Sequence, residues 1–358
     1  WTKVAEYCDN DVIATEAVFN HCKGDWTARK ILADLAGMPV SSSTNTLTTK
    51  IIFGNERKPN LVYTDLATGE ASDPAYQRKD IVGAFPGYEF KDFKAVGRLG
   101  SSHMAHALKR RLHVEGRIKS QNESVYYNID GIQDAIDAKR KVEFKDFKNM
   151  YRGVDLGKGG YVYAEPGIYE NVALLDIASL HPHSIVAMNC FGKYTQHFKD
   201  IMDIRIHIKH GNYEAARKML GGKLEPYLRD ESTAKDLAQA LKIAINSVYG
   251  LTSASFDNPF RDIRNKNNIV ALRGALFMKT LQDEVAAKGF TVAHVKTDSI
   301  KIPNATPEII QFCMDFAEKY GYTFEHEATY ERMCLVNDAV YIAKYKDGKH
   351  AGEWTATG

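Results

Sequence analysis

Two carboxylates in this chain stand where a cation is needed to answer them. Asp176 ends an apolar run, Val172-Ala-Leu-Leu175, and Asp298 follows Lys296-Thr297 between two further apolar stretches. An unbroken run of Val, Ala and Leu reads as a strand buried on both faces, which carries Asp176 to a strand end. An unpaired buried charge there costs on the order of several kcal/mol unless a cation answers it. Between the two aspartates lies a helix candidate, 232–249, in which Lys235, Gln239, Lys242, Asn246 and Tyr249 share one stripe. Ammonium groups for phosphate, amides for a base edge and an aromatic ring for stacking suit a nucleotide. Strand-end carboxylates on both sides of such a helix form the pattern of two-metal phosphoryl transfer. In that chemistry two divalent ions roughly 3.5 to 4 Å apart activate the attacking oxygen and stabilise the leaving one. Each feature alone has a plainer reading, Asp176 as a turn residue and the Lys stripe as solvated surface, and it is their order along the chain that favours the chemistry.

The elements that must position these groups follow from periodicity. After Asp176, Pro182 is expected to stop regular backbone. Residues 194–209 and 212–220 read as helices, the second carrying Arg217, and Gly221-Gly222 breaks the chain. Leu237, Leu241, Ile245 and Val248 are the docking stripe of the 232–249 helix, which should end at Gly250. An amphipathic helix is expected at 267–287. Strands at 290–295 and 299–302 make a hairpin with Asp298 at its tip. A helix at 307–320 and strands at 322–325, 339–344 and 350–354 complete this part.

The first 155 residues carry less signal. Residues 1–22 read as a helix with a buried stripe of Cys8, Val12, Thr15, Phe19 and Cys22; Tyr7 and Asp11, four apart, share an adjacent face and could hold a metal or a water. A second helix at 25–36 stops at Gly37 and Pro39, and the Ser/Thr-rich 41–49 reads as a linker. Short strands are expected at 51–53 and 61–63. The hexapeptide Glu-Phe-Lys-Asp-Phe-Lys occurs at 89–94 and again at 143–148, and is taken to bracket an insertion, 95–148, that is locally basic. Gly159-Gly160 would let the backbone pass close to a ligand or another segment.

Several segments resemble the motifs of family B DNA polymerases. Asp176-Ile-Ala-Ser-Leu-His-Pro-His resembles motif A, Lys242-Ile-Ala-Ile-Asn-Ser-Val-Tyr-Gly250 matches motif B at every defined position, and Thr297-Asp298-Ser299 matches the end of motif C. Gly159-Gly160-Tyr161-Val162 is similar to the Gly-Gly-x-Val element ahead of motif A, and Lys344-Tyr345 to the Lys-x-Tyr primer-gripping region. Tyr7 to Asp11 resembles the third exonuclease motif. Three ordered motifs across 157–358 are far more specific than any single match, and the style resembles bacteriophage enzymes.

The resemblance implies an α+β fold, a polymerase palm of antiparallel sheet backed by helices, with α-helical fingers. It implies palm at 156–193 and 251–358, fingers at 194–250, an exonuclease remnant at 1–40, and a linker and N-terminal-domain-like region at 41–155. Asp176 and Asp298 would be catalytic and ligate two Mg²⁺ ions, with Ile177 in the metal set and Mn²⁺ as an alternative ion. Ser179, Leu180, His181, Arg217, Lys242, Asn246 and Tyr249 would bind the nucleotide; Gly159, Gly160, Lys296, Lys344 and Tyr345 would bind DNA or the primer strand; Tyr7 and Asp11 would be what is left of the exonuclease. Primer–template DNA and dNTPs are the implied partners, with room for a second chain supplying thumb or exonuclease segments. The departures are His181 where the family has the Tyr that crowds the sugar 2′ position, and Lys296 where motif C has its first Asp. Only the third exonuclease motif is found, so the other carboxylates are missing and proofreading is expected to be absent; the thumb expected after the Lys-x-Tyr region is missing too. A DNA-binding or structural fragment without processive synthesis is the second reading; a nuclease is disfavoured by the absent exonuclease carboxylates.

Composition narrows the classes further. With 47 Lys plus Arg against 45 Asp plus Glu, the net charge is +2, so nucleic-acid binding must come from local patches. Five scattered cysteines without a Cys-x-x-Cys pair suit free thiols in a reducing cytoplasm, that of a bacterial host if the source is viral. No apolar run approaches membrane-spanning length, and no membrane partner is expected. The first residue, Trp1 in place of Met, suggests a fragment or processed product.

Overall fold

The computed structural model describes residues 1–56, 59, 93–99, 144–151, 153–157, 159–254, 256, 258–260 and 269–357. The expected strand at 61–63, residues 100–143 of the insertion and the first residues of the 267–287 helix lie outside them. By its contacts the chain divides into two units. Among the described residues, one comprises α1 (Thr2–His21), α2 (Lys23–Ala36), α3 (Thr44–Phe53), α5 (Thr195–Lys209), α6 (Tyr213–Lys218) and α7 (Glu231–Thr252). The other comprises the strands β1 to β10 and the helices α4 (Leu180–Ala187), α8 (Ile269–Ala287) and α9 (Pro307–Lys319).

In the helical unit, α7 is the organising element. Asp230 caps it by accepting from the Thr233 amide at 2.9 Å, and Leu237, Leu241, Ile245 and Val248 are buried as the docking stripe. The helix runs on through Gly250 to Thr252, because a single helical glycine costs only about 1 kcal/mol and the burial of Leu251 offsets it. Phe53, Phe191, Phe198 and Phe260 build an aromatic cluster, with Phe53 and Phe260 centroids 4.8 Å apart. The expected linker at 41–49 and strand at 51–53 are instead α3. Ser43 accepts from the Thr46 amide at 3.1 Å as its N-cap, and Leu47, Ile52 and Phe53 give it a buried side. A Ser/Thr-rich stretch supplies caps as readily as loops, which is why composition misled here. The α2 helix ends at Gly37 in the left-handed conformation, as its sequence predicts. The α1 helix forms, but no residue of it is buried; Val12 is 67% and Phe19 47% exposed, so the expected buried stripe is open. Periodicity predicts a helix and its apolar face, not a partner for that face.

Among the described residues, the second unit holds two sheets. In the smaller, β1 (Phe93–Leu99), β2 (Phe144–Tyr151) and β3 (Val154–Asp155) pair antiparallel in that order, and the described parts of both hexapeptide copies lie on β1 and β2. The larger is a seven-stranded antiparallel sheet in the order β10-β9-β8-β5-β7-β6-β4. Its strands are β4 (Val162–Ala164), β5 (Gly167–Ile177), β6 (His294–Lys296), β7 (Ser299–Pro303), β8 (Phe324–Leu335), β9 (Tyr341–Tyr345) and β10 (Trp354–Thr357). One face is a core in which Leu175, Ile177, Val295, Ile300 and Ile302 pack with Leu276, Phe277 and Leu281 of α8 and Cys313 and Ala317 of α9. The other face carries Val172, Leu174, Tyr330, Met333 and Ala343. An antiparallel α+β architecture with helices behind a sheet is thus as expected.

Five expectations in this unit change. Pro182 does not end regular structure: it is the third residue of α4, in the first turn, where its missing N–H has no intrahelical partner to lose. The first strand of the Asp298 hairpin begins at His294, not at 290. The strand expected at 322–325 is twelve residues long, and the one expected at 350–354 begins at Trp354. Sequence alternation failed for β8 because a bulge at Glu327 shifts its register against β5, with Ala328 paired to Leu174 but His326 to Leu175. The first half of α8 is buried on every side, not amphipathic: residues Val270 to Met278 are buried throughout, Arg273 included.

Candidate active site

The site is built where β5 ends and the β6–β7 hairpin turns. Side chains alternate along a strand, so Asp176 shares the face of Val172 and Leu174, opposite the helices. Its register partners are Ser299 on β7 and Glu325 on β8. The Ile177 amide donates to the Asp298 carbonyl at 2.8 Å, which joins the end of β5 to the hairpin turn and brings the two aspartates to one place.

The turn is locally strained and externally held. Thr297 has φ of 57°, a value that β-branched residues rarely adopt. Its amide donates to the Tyr161 carbonyl at 2.9 Å, and the Asp298 amide donates to the Lys296 carbonyl at 2.7 Å. The approach of Tyr161 requires Gly160: a Cβ there would stand 2.7 Å from Thr297 Cγ2. The segment that brings Asp298 into position therefore leans on a glycine more than a hundred residues earlier.

Burial and mutual repulsion shape the charges. Desolvation, followed by the Asp298, Glu327 and Glu325 carboxylates, pushes the Asp176 carboxyl up to about 7, and Lys301 opposes this. Asp298 is also raised, chiefly by burial. Carboxylates that repel one another in a partly desolvated place are a donor set that a divalent cation would relieve, so these residues fit one. Ile177 has a buried apolar side chain, leaving its carbonyl as the group it could offer. Among the described residues, no group of three or more His, Cys, Asp and Glu is placed to hold a metal by itself.

Beside the aspartates, Ser179 adopts φ of 62° and α4 begins at Leu180, so a helix N-terminus opens next to the strand end. Leu180 is buried against Gly274 of α8, where a Cβ would meet its Cδ2 at 2.8 Å. Burial of the His181 ring lowers its pKa to about 4, so it is neutral at physiological pH. Lys296 is half-buried and pairs with Ser299 and Val162. Lys344 forms an ion pair with Glu331 at 2.8 Å, and the Tyr345 ring lies 5.2 Å from that of Tyr330.

The remaining candidates belong to the helical unit. Lys242 and Asn246 are exposed and Tyr249 half-buried on the polar stripe of α7. Arg217 donates to the Leu228 carbonyl at 2.7 Å and pairs with Glu214. Tyr7 and Asp11 are exposed on α1, where the Asp11 carbonyl accepts from the Thr15 hydroxyl at 2.7 Å.

Sequence reasoning missed Glu325, Glu327, His294 and Lys301. The glutamates sit on the strand whose alternation is broken by the bulge. Lys301, two residues beyond Ser299 on β7, shares the face of the residue that pairs with Asp176, a relation that only the register across the sheet reveals.

No known family model and no curated protein matches the chain. Among solved structures, the family B DNA polymerase from the hyperthermophilic archaeon Pyrobaculum calidifontis is similar at a TM-score of 0.39 and 15% identity, over 55% of this chain and 28% of that one. The chain thus spans under a third of that structure's length.

Proposed function

We propose that the chain is a DNA-templated DNA polymerase core that transfers dNMP from a dNTP to a primer 3′-OH and releases pyrophosphate. The observation that carries this reading is the convergence of Asp176 and Asp298, each from a polymerase-like motif, at one end of an antiparallel sheet through the Ile177–Asp298 hydrogen bond. Asp176, Asp298 and the Ile177 carbonyl are the groups that would hold divalent metal. Bound Mg²⁺ or Mn²⁺ would supply Lewis acidity at the attacking and leaving oxygens.

The chain's own groups have separable tasks in this reading. The amides that open α4 at Ser179 and Leu180 offer N–H donors to a triphosphate. His181, neutral and partly buried, faces the sugar in place of the family's Tyr and sets how strictly ribose is refused. Lys296 contributes an ammonium to a primer or triphosphate phosphate where the family has a carboxylate. Lys242, Asn246, Tyr249 and Arg217 enter as nucleotide contacts through the motif resemblance alone, as do Gly159, Lys344 and Tyr345 as DNA contacts and the bacteriophage affinity of the whole. Arg217 would exchange exposed Glu214 for phosphate, a substitution that forfeits little because exposed ion pairs are worth about 0 to 1 kcal/mol.

Primer extension on a DNA template with Mg²⁺ tests the proposal. Extension by the wild type that is lost in Asp298→Ala supports it; tight binding of primer–template with no extension would instead favour a DNA-binding module.

A further inference from the structure

A buried cation stands beside the aspartate pair and no motif accounts for it. Lys301, on β7, is only 3% exposed, and its ammonium lies 3.1 Å from His294 Nδ1. An ammonium has no lone pair, so His294 accepts at Nδ1; its Nε2 then carries the proton and donates to the Asp338 carbonyl at 3.1 Å. The same ammonium lies over the Tyr341 ring, 4.7 Å from its centroid. Three elements, β6, β9 and the segment before β9, thus fix one positive charge.

Register places that charge relative to the site. Lys301 pairs with Leu174 on β5 and with His294 on β6, while Ser299, two residues earlier on the same face, pairs with Asp176. Lys301 and Asp176 are therefore diagonal neighbours on one sheet face, roughly 7 to 8 Å apart at the backbone and within reach of a long side chain. The charged groups that act on Lys301 are Asp176 from β5, Asp298 and Lys296 from the hairpin, and Glu327 from the β8 bulge. Burying an ammonium that has one hydrogen-bond partner and a ring face is costly without such carboxylates. The carboxylates in turn repel one another without it.

We propose that Lys301 is a resident counter-ion of the Asp176–Asp298 pair, anchored by His294 and Tyr341, that balances the carboxylates when no metal is bound and so holds down the site's affinity for free divalent cations. The consequence is a site loaded by metal that arrives with a triphosphate, whose negative charge compensates Lys301, in preference to metal alone. This rests on reading the aspartate pair as a metal site, and Lys301 acts in it as a positioning residue.

The test is Mn²⁺ binding to the full chain without nucleotide, read by electron paramagnetic resonance, in the wild type and in Lys301→Gln and Lys301→Met. Removing a unit charge this near a divalent ion should tighten binding by about tenfold or more at an effective protein dielectric. Unchanged or weaker binding in a folded neutral variant overturns the proposal. Should neither neutral variant fold, Lys301→Arg keeps the charge at every pH. Mg²⁺ affinity of the wild type, whose ammonium burial holds near a pKa of about 8, should then keep climbing between pH 8 and 9.5 while that of the Arg variant levels off. Parallel profiles overturn the proposal. Primer extension is scored separately: tighter metal binding in a chain that never extends primers leaves the counter-ion and removes the polymerase reading. Extension with metal affinity indifferent to Lys301 does the reverse.

Discussion

The amide of Ile177 donates to the carbonyl of Asp298 at 2.8 Å, across 121 residues of sequence that include the second segment of the helical unit. A strand end and a hairpin tip are thereby fixed together, and the two carboxylates with them.

Gly160 holds that arrangement from outside. Gly160→Ala puts a methyl 2.7 Å from Thr297 Cγ2 at a backbone φ of 155°, so the turn must shift. The expected cost is about 1 to 3 kcal/mol in denaturant unfolding, with a loss of primer extension larger than that of stability because Asp298 moves with Thr297. Full activity in a folded variant would show that the turn does not depend on this approach.

The contribution of two buried histidines to the sheet unit should be lost in acid over a defined window, while Asp176, raised to about 7, acts in the opposite sense. Burial lowers His181 and His294 to about 4 from an ordinary value of 6.5. Below 6.5 the unfolded chain takes up protons that the folded chain refuses, so the stability these rings contribute is complete above pH 6.5 and is lost as pH falls towards 4. His294→Gln should flatten part of the fall in Tm between pH 6.5 and 4. An identical slope in wild type and variant would contradict a His294 ring that is neutral in the folded chain.

Sugar selection is expected to turn on His181. The ring is neutral well above pH 4, so the ratio of dNTP to rNTP incorporation should not vary between pH 6.5 and 8.5. His181→Tyr should raise that ratio. No change in the ratio would remove His181 from the sugar pocket.

The exposed apolar stripe of α1 meets its own unit through the edge-on contact of Phe19 with Trp26 of α2, ring centroids 5.6 Å apart, and its valines add little to that fold. Val4→Ser and Val12→Ser, at 56% and 67% exposure, should each alter unfolding free energy by no more than about 0.5 kcal/mol. A loss of several kcal/mol would mean that this face is covered in solution.

The motif-bearing segments were legible because each coincides with a regular element. The apolar run into Asp176 is β5, the Leu237 to Val248 stripe is the buried side of α7, and Asp298 turns a hairpin as its flanks predict. What was illegible has local physical causes. Ser43 looked like linker because a cap residue and a loop residue are chemically the same. The bulge at Glu327 hid β8 by breaking its alternation, and with it the two glutamates that act on Asp176. Lys301 was passed over because a lysine in a strand reads as solvent-facing unless the residues across the sheet are known.

The decisive measurement is template-directed primer extension by the wild type, Asp176→Asn and Asp298→Asn, in Mg²⁺ and on the same annealed primer. If Asp176 and Asp298 hold the catalytic metals, the wild type extends in a dNTP-dependent manner and each variant loses at least about a hundredfold, the scale on which groups acting on transition-state charge are lost. Extension that survives either substitution, or a folded wild-type chain that binds primer–template and never extends it, would contradict that role.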